Sequence, residues 1–120
     1  MKTRQAAQRR GHLAETVALW FLRLKGYRLL ARRFKTRSGE IDLVMRKGET
    51  TAFIEVKQRR SADDAVIAVT SYQSKRISSA AAGWMARDPR AASGFCRFDI
   101  VAVSSNLWPT HIPNAFSGDR

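Results

Sequence analysis

Two alternating segments meet at a glycine-containing turn in the first half of the chain. Residues 39–46 and 51–58 each change side-chain character at every second position, and Gly48-Glu49 lies between them. Successive side chains of a strand point to opposite faces, so the pattern predicts two strands. Glycine at the first of two loop positions is typical of a type II′ hairpin turn. The first strand is predicted to place Ile41, Leu43 and Met45 on one face and Glu40, Asp42 and Val44 on the other.

A two-residue turn also predicts which residues of this hairpin lie opposite one another. It places Asp42 opposite Glu55 and Glu40 opposite Lys57, with facing Cβ atoms about 4.5–5.5 Å apart. Facing carboxylates repel each other, and a hard divalent cation relieves that repulsion. Mg²⁺ and Mn²⁺ prefer carboxylate oxygens, so the pair is a predicted site for one of them. The same residues also fit a solvated face on which Lys57 pairs with Glu40.

A cation at this position would suit phosphodiester hydrolysis. Such an ion polarises a phosphoryl oxygen and lowers the pKa of a bound water. Lys57 lies two residues after Glu55 and on the same predicted face, where it could stabilise developing negative charge or orient the attacking water. Glu15 borders the buried face of a predicted first helix and could complete the set of ligands.

The remaining elements give the order helix, strands, helix, strand, which predicts an α/β domain with a mixed sheet. Residues 1–120 are expected to form a single domain, with residues 1–7 flexible and a tail over residues 104–120 packed on the domain through Trp108, Ile112 and Phe116. A first helix is predicted over 8–25, with its apolar stripe at Leu13, Val17, Trp20, Phe21 and Leu24. A second helix is predicted over 70–87 and begins with a capping box at Thr70 and Gln73. Strands are predicted over 27–34 and 95–103, and a loop over 59–69.

The charge is concentrated near the start of the chain. The net charge is +12, and residues 1–37 contain eleven basic side chains against one acid, Glu15. A basic block favours a polyanionic partner, because each neutralised phosphate releases counterions. A solvated basic surface without a partner is the alternative. The residues predicted to contact nucleic acid are Arg9, Arg10, Arg32, Arg33, Lys35, Arg37, Arg59 and Arg60.

Composition excludes several other classes of protein. No apolar run approaches the roughly 20 residues of a membrane span. The first residues carry charge without an apolar stretch behind it, so we expect no secretory signal and a cytoplasmic location. Cys96 is the single cysteine, which excludes an internal disulfide and a cysteine-based zinc site.

Several motifs carry a resemblance to a known family. The chain is similar to the small YraN-like family of bacterial proteins and, through Asp42 and Glu55-Val56-Lys57, to the PD-(D/E)xK nuclease superfamily. The resemblance implies a restriction-endonuclease-like fold, with a central mixed β-sheet flanked by helices and the site at the hairpin. The matching pieces are residues 11–15, Gly39-Glu40-Ile41-Asp42-Leu43, Phe53-Ile54-Glu55-Val56-Lys57, Val69-Thr70, residues 97–101 and Asn114-Ala115-Phe116.

The resemblance also implies roles for individual residues. Asp42 and Glu55 match the superfamily's ligands for Mg²⁺ or Mn²⁺, and Lys57 matches its catalytic lysine, acting as a base. Glu15 matches an acidic ligand on the first helix of resolvase-like branches. Gln73 lies where relatives carry an auxiliary Lys or Gln, although a capping box explains this residue equally well. The Asp occurs here in Gly-Glu-Ile-Asp, without the proline of the superfamily's name.

These expectations lead to one function and two alternatives. The first is a divalent-metal-dependent nuclease that hydrolyses DNA, including branched DNA. Symmetric cutting of a junction would require a two-fold homodimer. The alternatives are a catalytically inactive nucleic-acid-binding module, and a protein-interaction module whose basic arm contacts an acidic partner or ribosomal RNA.

Overall fold

A computed structural model describes the backbone of residues 2–117 and the side chains of residues 8–117. Four helices and five strands follow one another along this part of the chain. They are α1 (Lys2–Leu24), β1 (Arg28–Lys35), β2 (Glu40–Lys47), β3 (Thr50–Gln58), α2 (Ala62–Ala68), α3 (Ser71–Arg87), α4 (Pro89–Ser93), β4 (Phe95–Val103) and β5 (Pro109–Ile112).

The five strands form one mixed sheet in the order β1-β2-β3-β4-β5. β3 and β4 are parallel, and the other neighbouring pairs are antiparallel. A parallel pair needs a long crossover, which is supplied here by α2, α3 and α4. The predicted α/β architecture with a central mixed sheet flanked by helices is therefore confirmed, and it is compatible with a restriction-endonuclease-like fold.

The core is divided by the sheet into two clusters. On one face α1 packs Ala14, Ala18, Leu19 and Leu22 against Leu43, Met45, Ala52, Ile54, Val101 and Val103. On the other face α2 and α3 pack Ala65, Ile77, Ala80, Ala81 and Trp84 against Val44, Phe53, Ile100 and Ala102. The sheet is thus covered on both sides, as a parallel pair of strands in its middle requires.

The hairpin has the predicted turn and register next to the turn. Gly48 has a φ of +61°, and a type II′ turn requires such a positive φ at its first central residue. The ladder runs from Lys47 paired with Thr50 to Leu43 paired with Ile54, where it stops. Asp42 and Glu55 follow just beyond this last pair.

One face assignment in β2 was wrong. Ile41 packs with the α3 cluster, whereas Leu43 and Met45 pack under α1. The predicted alternation therefore breaks between Ile41 and Leu43, at the residue where β2 leaves the ladder with β3. A strand that separates from its neighbour is free to twist, so its side chains change face.

The orientation of α1 also differs from the prediction. Leu13, Trp20 and Leu24 belong to the predicted stripe but are exposed. Val17 and Phe21 of that stripe pack against the core, and the most buried residues of the helix are Ala14, Ala18 and Leu22. Small alanines allow the helix to lie close to the sheet, so the alanine face is buried in preference to a face with larger side chains. Glu15 borders this buried face, as predicted, with a side chain only 13 % exposed.

Helical structure is more extensive than the pattern indicated. α1 begins at Lys2 instead of near residue 8, and α2 occupies part of the predicted loop over 59–69. The Ser61 side chain accepts a hydrogen bond from the Asp64 N–H and caps α2, and acidic residues in its first turn favour the helix further. The predicted flexibility of residues 1–7 stays a prediction.

The tail adds a fifth strand that the sequence did not predict. β5 pairs antiparallel with β4, and Phe116 is buried in the α3 cluster with Ile112 packed against that cluster. Trp108 does not pack as predicted and is 73 % exposed. Residues 118–120 of the predicted tail lie outside the described residues. No helix in the described part of the chain is long and apolar enough to cross a membrane.

Candidate functional site

The site is built where β2 separates from β3. Beyond the pair Leu43 and Ile54 the strands no longer exchange backbone hydrogen bonds, and the Asp42 side chain replaces the missing acceptor. Its Oδ2 accepts a hydrogen bond of 2.8 Å from the Val56 N–H. A partly buried backbone N–H gains from such a partner, so the sheet itself holds the carboxylate at this position.

Glu55 and Lys57 lie beside Asp42, as the sequence predicted. The carboxyl groups of Asp42 and Glu55 are within hydrogen-bonding reach of each other. Lys57 Nζ lies 3.3 Å from Glu55 Oε2, and the two side chains are 12 % and 14 % exposed. Lys57 therefore pairs with Glu55, whereas Glu40 lies opposite Lys35 of β1. The alternative of a solvated Glu40–Lys57 pair is wrong.

Gln73 joins this site to the start of α3. Its N–H and its side chain complete the predicted capping box with Thr70. Gln73 Oε1 also accepts a hydrogen bond of 3.1 Å from Lys57 Nζ. The capping box is therefore confirmed, and the same amide oxygen also contacts the lysine. The auxiliary role of Gln73 stays a prediction.

Asp42 and Glu55 are close enough that a negative charge on one disfavours ionisation of the other. Burial and the neighbouring Glu55 raise the pKa of Asp42 from 3.8 to about 8, and the hydrogen bond from Val56 opposes that rise. Desolvation disfavours a carboxylate, and a second carboxylate disfavours it further. Around neutral pH this pair holds a proton or needs a cation.

The raised pKa predicts a pH dependence of the free energy of unfolding. Between about pH 4 and about pH 8 the folded protein keeps the Asp42 proton, which the unfolded chain releases. The unfolding free energy of the metal-free wild type should therefore fall as pH rises, relative to Asp42→Asn, which has no such proton. Urea unfolding of both proteins in EDTA between about pH 5 and about pH 8 measures the difference. A constant difference would contradict the raised pKa.

Glu15 faces the same region but is held by arginines. Its Oε1 lies 3.0 Å from Arg33 Nε and 3.5 Å from Arg32 Nε, so both contacts are ion pairs. Neither Glu15 Oε1 nor Arg32 Nε has the alignment of a hydrogen bond to any described group. Adjacent strand residues normally point to opposite faces, and the positive φ of Arg33, +52°, lets both reach one carboxylate. Burial and the charge of Asp42 raise the pKa of Glu15, and the arginines oppose that rise.

The three carboxylates predicted as ligands, Glu15, Asp42 and Glu55, therefore do not form one cluster. Among the residues that the structure describes, no group of three or more His, Cys, Asp or Glu side chains is arranged to hold a metal ion. Asp42 and Glu55 form a pair, and Glu15 interacts with Asp42 electrostatically across the cleft. The two carboxylates of the pair are the residues that could hold a cation.

Two adjoining clefts expose this site. One, of about 190 Å³, is lined by His12, Glu15, Arg33, Lys35, Glu40, Ile41 and Asp42. The other, of about 170 Å³, is lined by Glu40, Asp42, Glu55, Tyr72, Gln73, Arg76 and Ile77. The shared residues Glu40 and Asp42 make them one carboxylate cleft, and basic side chains stand on both of its sides.

Tyr72 and Arg76 of α3 were missed by the sequence reasoning. They lie one helical turn apart, and the guanidinium of Arg76 stacks over the Tyr72 ring at 5.9 Å. Their spacing of four residues beside Gln73 was the available signal. They give the second half of the cleft an exposed aromatic ring and a positive charge.

The residues predicted to contact nucleic acid fall into three groups. Arg32, Arg33 and Lys35 lie at the carboxylate cleft or behind it. Arg10, Arg59 and Arg60 line a separate groove of about 480 Å³ beyond the ends of β3 and β4. Arg9 and Arg37 are exposed outside both depressions.

A protein-family model described as "Uncharacterised protein family UPF0102" matches residues 14–103. The chain belongs to this family. The match spans Glu15, Asp42, Glu55 and Lys57 and confirms the family that the sequence motifs indicated. No activity is named by that description.

Other UPF0102 proteins are similar along nearly their whole length. A UPF0102 protein of Methylorubrum extorquens is 50 % identical over 113 residues, covering 94 % of this chain and 88 % of the relative. One from Chelativorans is 46 % identical over 115 residues, covering 96 % and 93 %. One from Rhodopseudomonas palustris is 50 % identical over 113 residues, covering 94 % and 87 %. The described UPF0102 fold thus belongs to small bacterial proteins of similar length.

A second polar cluster of this UPF0102 protein has a structural role. Asp99 is fully buried in β4 and receives two hydrogen bonds of 2.8 Å from Arg97. His111 Nε2 lies 2.8 Å from Asp99 Oδ2, and the Asn114 N–H donates to Oδ1 at 2.9 Å. Burial alone would raise the pKa of Asp99, but these partners hold it below its usual value. The cluster fastens β5 and the tail to β4.

Proposed function

We propose that this UPF0102 protein is a divalent-metal-dependent nuclease that hydrolyses phosphodiester bonds in DNA. The observation that carries the proposal is the juxtaposition of Asp42, Glu55 and Lys57 at the separating ends of β2 and β3. The two carboxyls are within hydrogen-bonding reach of each other and line the cleft, and the Lys57 ammonium group lies beside them, 3.3 Å from Glu55 Oε2. A purely structural ion pair would not need the second carboxyl.

The donor set fits Mg²⁺ or Mn²⁺. Mg²⁺ is usually bound by one or two carboxylates together with waters and substrate phosphates, and Asp42 and Glu55 supply two. Burial and Glu55 raise the pKa of Asp42 although the charge of Lys57 opposes the rise, so a cation would further favour the ionised form of Asp42. When bound, the ion would supply electrophilic assistance to the phosphoryl group and acidify a bound water.

The chain's own residues would position the reacting groups. Val56 holds Asp42 through its N–H, and Gln73 holds the Lys57 ammonium at 3.1 Å. Lys57 is thereby aimed at the side of the carboxyl pair where it can stabilise charge on a phosphate or orient water. Glu15 keeps Arg33 at the opposite wall of the cleft, where its guanidinium suits a neighbouring phosphate.

DNA is the proposed substrate because basic side chains flank the cleft and the chain carries a net charge of +12. Arg33 and Lys35 line it on one side and Arg76 on the other. Such charges bind a polyanion with a strong dependence on salt concentration. Cleavage of both strands at a branch would require two copies of the site, and therefore a homodimer.

A second candidate is a nucleic-acid-binding module without hydrolytic activity. It is favoured by the position of Glu15, whose carboxylate is neutralised by Arg32 and Arg33. In that case the basic surface binds DNA and Asp42 keeps its proton. The two candidates differ in whether metal changes the DNA.

Labelled linear, flapped and four-way DNA incubated with the protein in Mg²⁺, Mn²⁺ or EDTA tests the proposal. We expect metal-dependent cleavage of at least one substrate by the wild type and by Glu49→Gln, an exposed acid in the hairpin turn. Asp42→Asn should cut none of them. Binding of all the DNAs without metal-dependent cleavage would instead support the module without hydrolytic activity.

A further inference from the structure

The groove beyond the ends of β3 and β4 is a second site of a different character. Its main part, of about 480 Å³, is lined by Arg10, Leu13, Ala14, Gln58, Arg59, Arg60, Val103 and Leu107, together with two serines. An adjoining depression of about 260 Å³ shares Arg59 and Arg60 and reaches Asn106, Trp108 and Thr110. None of the described side chains that line either part is acidic. The groove therefore differs from the carboxylate cleft, because its charged side chains are all arginines and favour an anion.

Trp108 lies at the rim of this groove and exposes its aromatic ring. It is 73 % exposed, although burying an indole ring ordinarily contributes strongly to stability. The Ser104 N–H donates to the Trp108 carbonyl at 3.0 Å, and the Trp108 N–H donates to Ser104 Oγ at 3.1 Å. These two bonds close a short turn and hold the backbone of Trp108 beside the arginines.

An exposed ring next to arginines suits an unpaired nucleotide. Guanidinium groups bind the phosphates, and the ring offers a face on which a base can stack. A base inside a duplex is already stacked on its neighbours and cannot stack on the ring, so Trp108 would select for a single strand with unstacked bases. Leu13 and Leu107 add an apolar surface to the arginine-lined part of the groove.

We propose that this groove binds a single-stranded polynucleotide by stacking a base on Trp108 and pairing phosphates with Arg59 and Arg60. The inference deepens the proposed function, on which it rests, by giving the substrate an unpaired segment. Lys57 of the carboxylate site and Gln58 of the groove are adjacent in β3. Arg60 is three residues beyond Lys57, so their Cα atoms lie no more than roughly 11 Å apart.

Binding measured in EDTA tests the groove without any cleavage. Fluorescent oligo(dT) and oligo(rU) of about 12 nucleotides are titrated against the wild type, Trp108→Ala and Trp20→Ala. Trp20 is the matched control because its ring is 56 % exposed on α1 and lies outside the groove. Trp108→Ala should weaken binding of the strand that the wild type prefers by about 5- to 150-fold, and Trp20→Ala should not.

Three ligands separate base stacking from charge alone. An oligonucleotide without bases should bind the wild type as weakly as oligo(dT) binds Trp108→Ala, and a duplex should bind both proteins equally. Equal binding of the strands with and without bases would overturn the proposal. So would equal competition by polyglutamate, which would identify the groove as a site for an acidic peptide.

A second pair of variants tests the phosphate contacts. Arg59→Ala combined with Arg60→Ala should reduce the salt dependence of oligo(dT) binding, whereas Arg90→Ala, an exposed arginine of α4, should not. An unchanged salt dependence in the double variant would overturn the assignment. Because these measurements involve no hydrolysis, a protein that binds single strands but cuts nothing would refute the proposed function alone.

Discussion

Lys57→Ala should lose DNA cleavage by about 100- to 1,000-fold while keeping its stabilisation by Mg²⁺. The ammonium group lies between Glu55 and Gln73, so its removal takes away a positive charge beside the carboxyl pair but no oxygen ligand. In the wild type, metal at about 100 times its dissociation constant should raise the unfolding free energy by about 2.7 kcal/mol. Thermal melting in EDTA and in metal, with a cleavage assay, measures both effects.

Asp42→Asn is the matched variant for the metal. It keeps an oxygen that can accept the Val56 hydrogen bond but removes the charge that repels Glu55. In EDTA the variant should be as stable as the wild type or more stable, and metal should not stabilise it. Asp42→Ala leaves the Val56 N–H without its acceptor and should lose about 1–3 kcal/mol.

Two outcomes would contradict this account of the site. If metal stabilises Asp42→Asn as much as the wild type, Asp42 is not a ligand. If metal stabilises neither protein, even with a short DNA duplex present to supply phosphate oxygens, the module without hydrolytic activity is favoured. A parallel loss of metal stabilisation and cleavage in Lys57→Ala would show that Lys57 positions the pair instead of the substrate.

Asp99→Ala should lower the unfolding free energy by about 3–5 kcal/mol. The substitution leaves Arg97 and the Asn114 N–H without their acceptor inside the fold, and it releases His111. A loss of this size is a large fraction of the roughly 5–15 kcal/mol that stabilises a typical domain. Urea unfolding at neutral pH measures it, and the melting temperature should fall by more than about 10 °C.

The Asp99 prediction has a control and a pH signature. Glu49→Ala, which removes an exposed acid, should change the unfolding free energy by no more than about 0.5 kcal/mol. The pKa of Asp99 is lowered on folding, so its contribution should be present above the usual Asp pKa and be lost as pH falls below it. Asp99→Ala and wild type should therefore approach each other in stability in acid. A loss for Asp99→Ala no larger than that for Glu49→Ala would contradict the role given to the cluster.

Local chemistry was sufficient for much of the fold. Gly48 and the alternation beside it predicted the hairpin turn and the register as far as Leu43, because a turn fixes its adjacent pairs. Thr70 and Gln73 predicted the start of α3 through a capping box that spans only four residues. The strand over 95–103 was predicted with the limits that the structure shows.

The carboxylate cleft was predicted in its residues but not in its geometry. Asp42, Glu55 and Lys57 come together because they share one hairpin, and the chain's own register brings them close. The sequence could not indicate that the ladder ends at Leu43, so that Asp42 accepts the Val56 N–H instead of facing Glu55 across a regular sheet. Where a ladder ends depends on twist and on packing from both faces, which no local pattern encodes.

Contacts between distant segments were decided by the tertiary structure alone. Glu15 was predicted as a third ligand, but it meets Arg32 and Arg33 because β1 lies at the edge beside α1 and Arg33 takes a left-handed backbone. The groove that brings Arg10 together with Arg59 and Arg60 likewise arises from packing between distant segments. The sequence by itself determined which side chains are available and the short-range elements that carry them. Their partners were determined by how closely α1 approaches the sheet, because burial and charge pairing act through space between residues that are far apart in the chain.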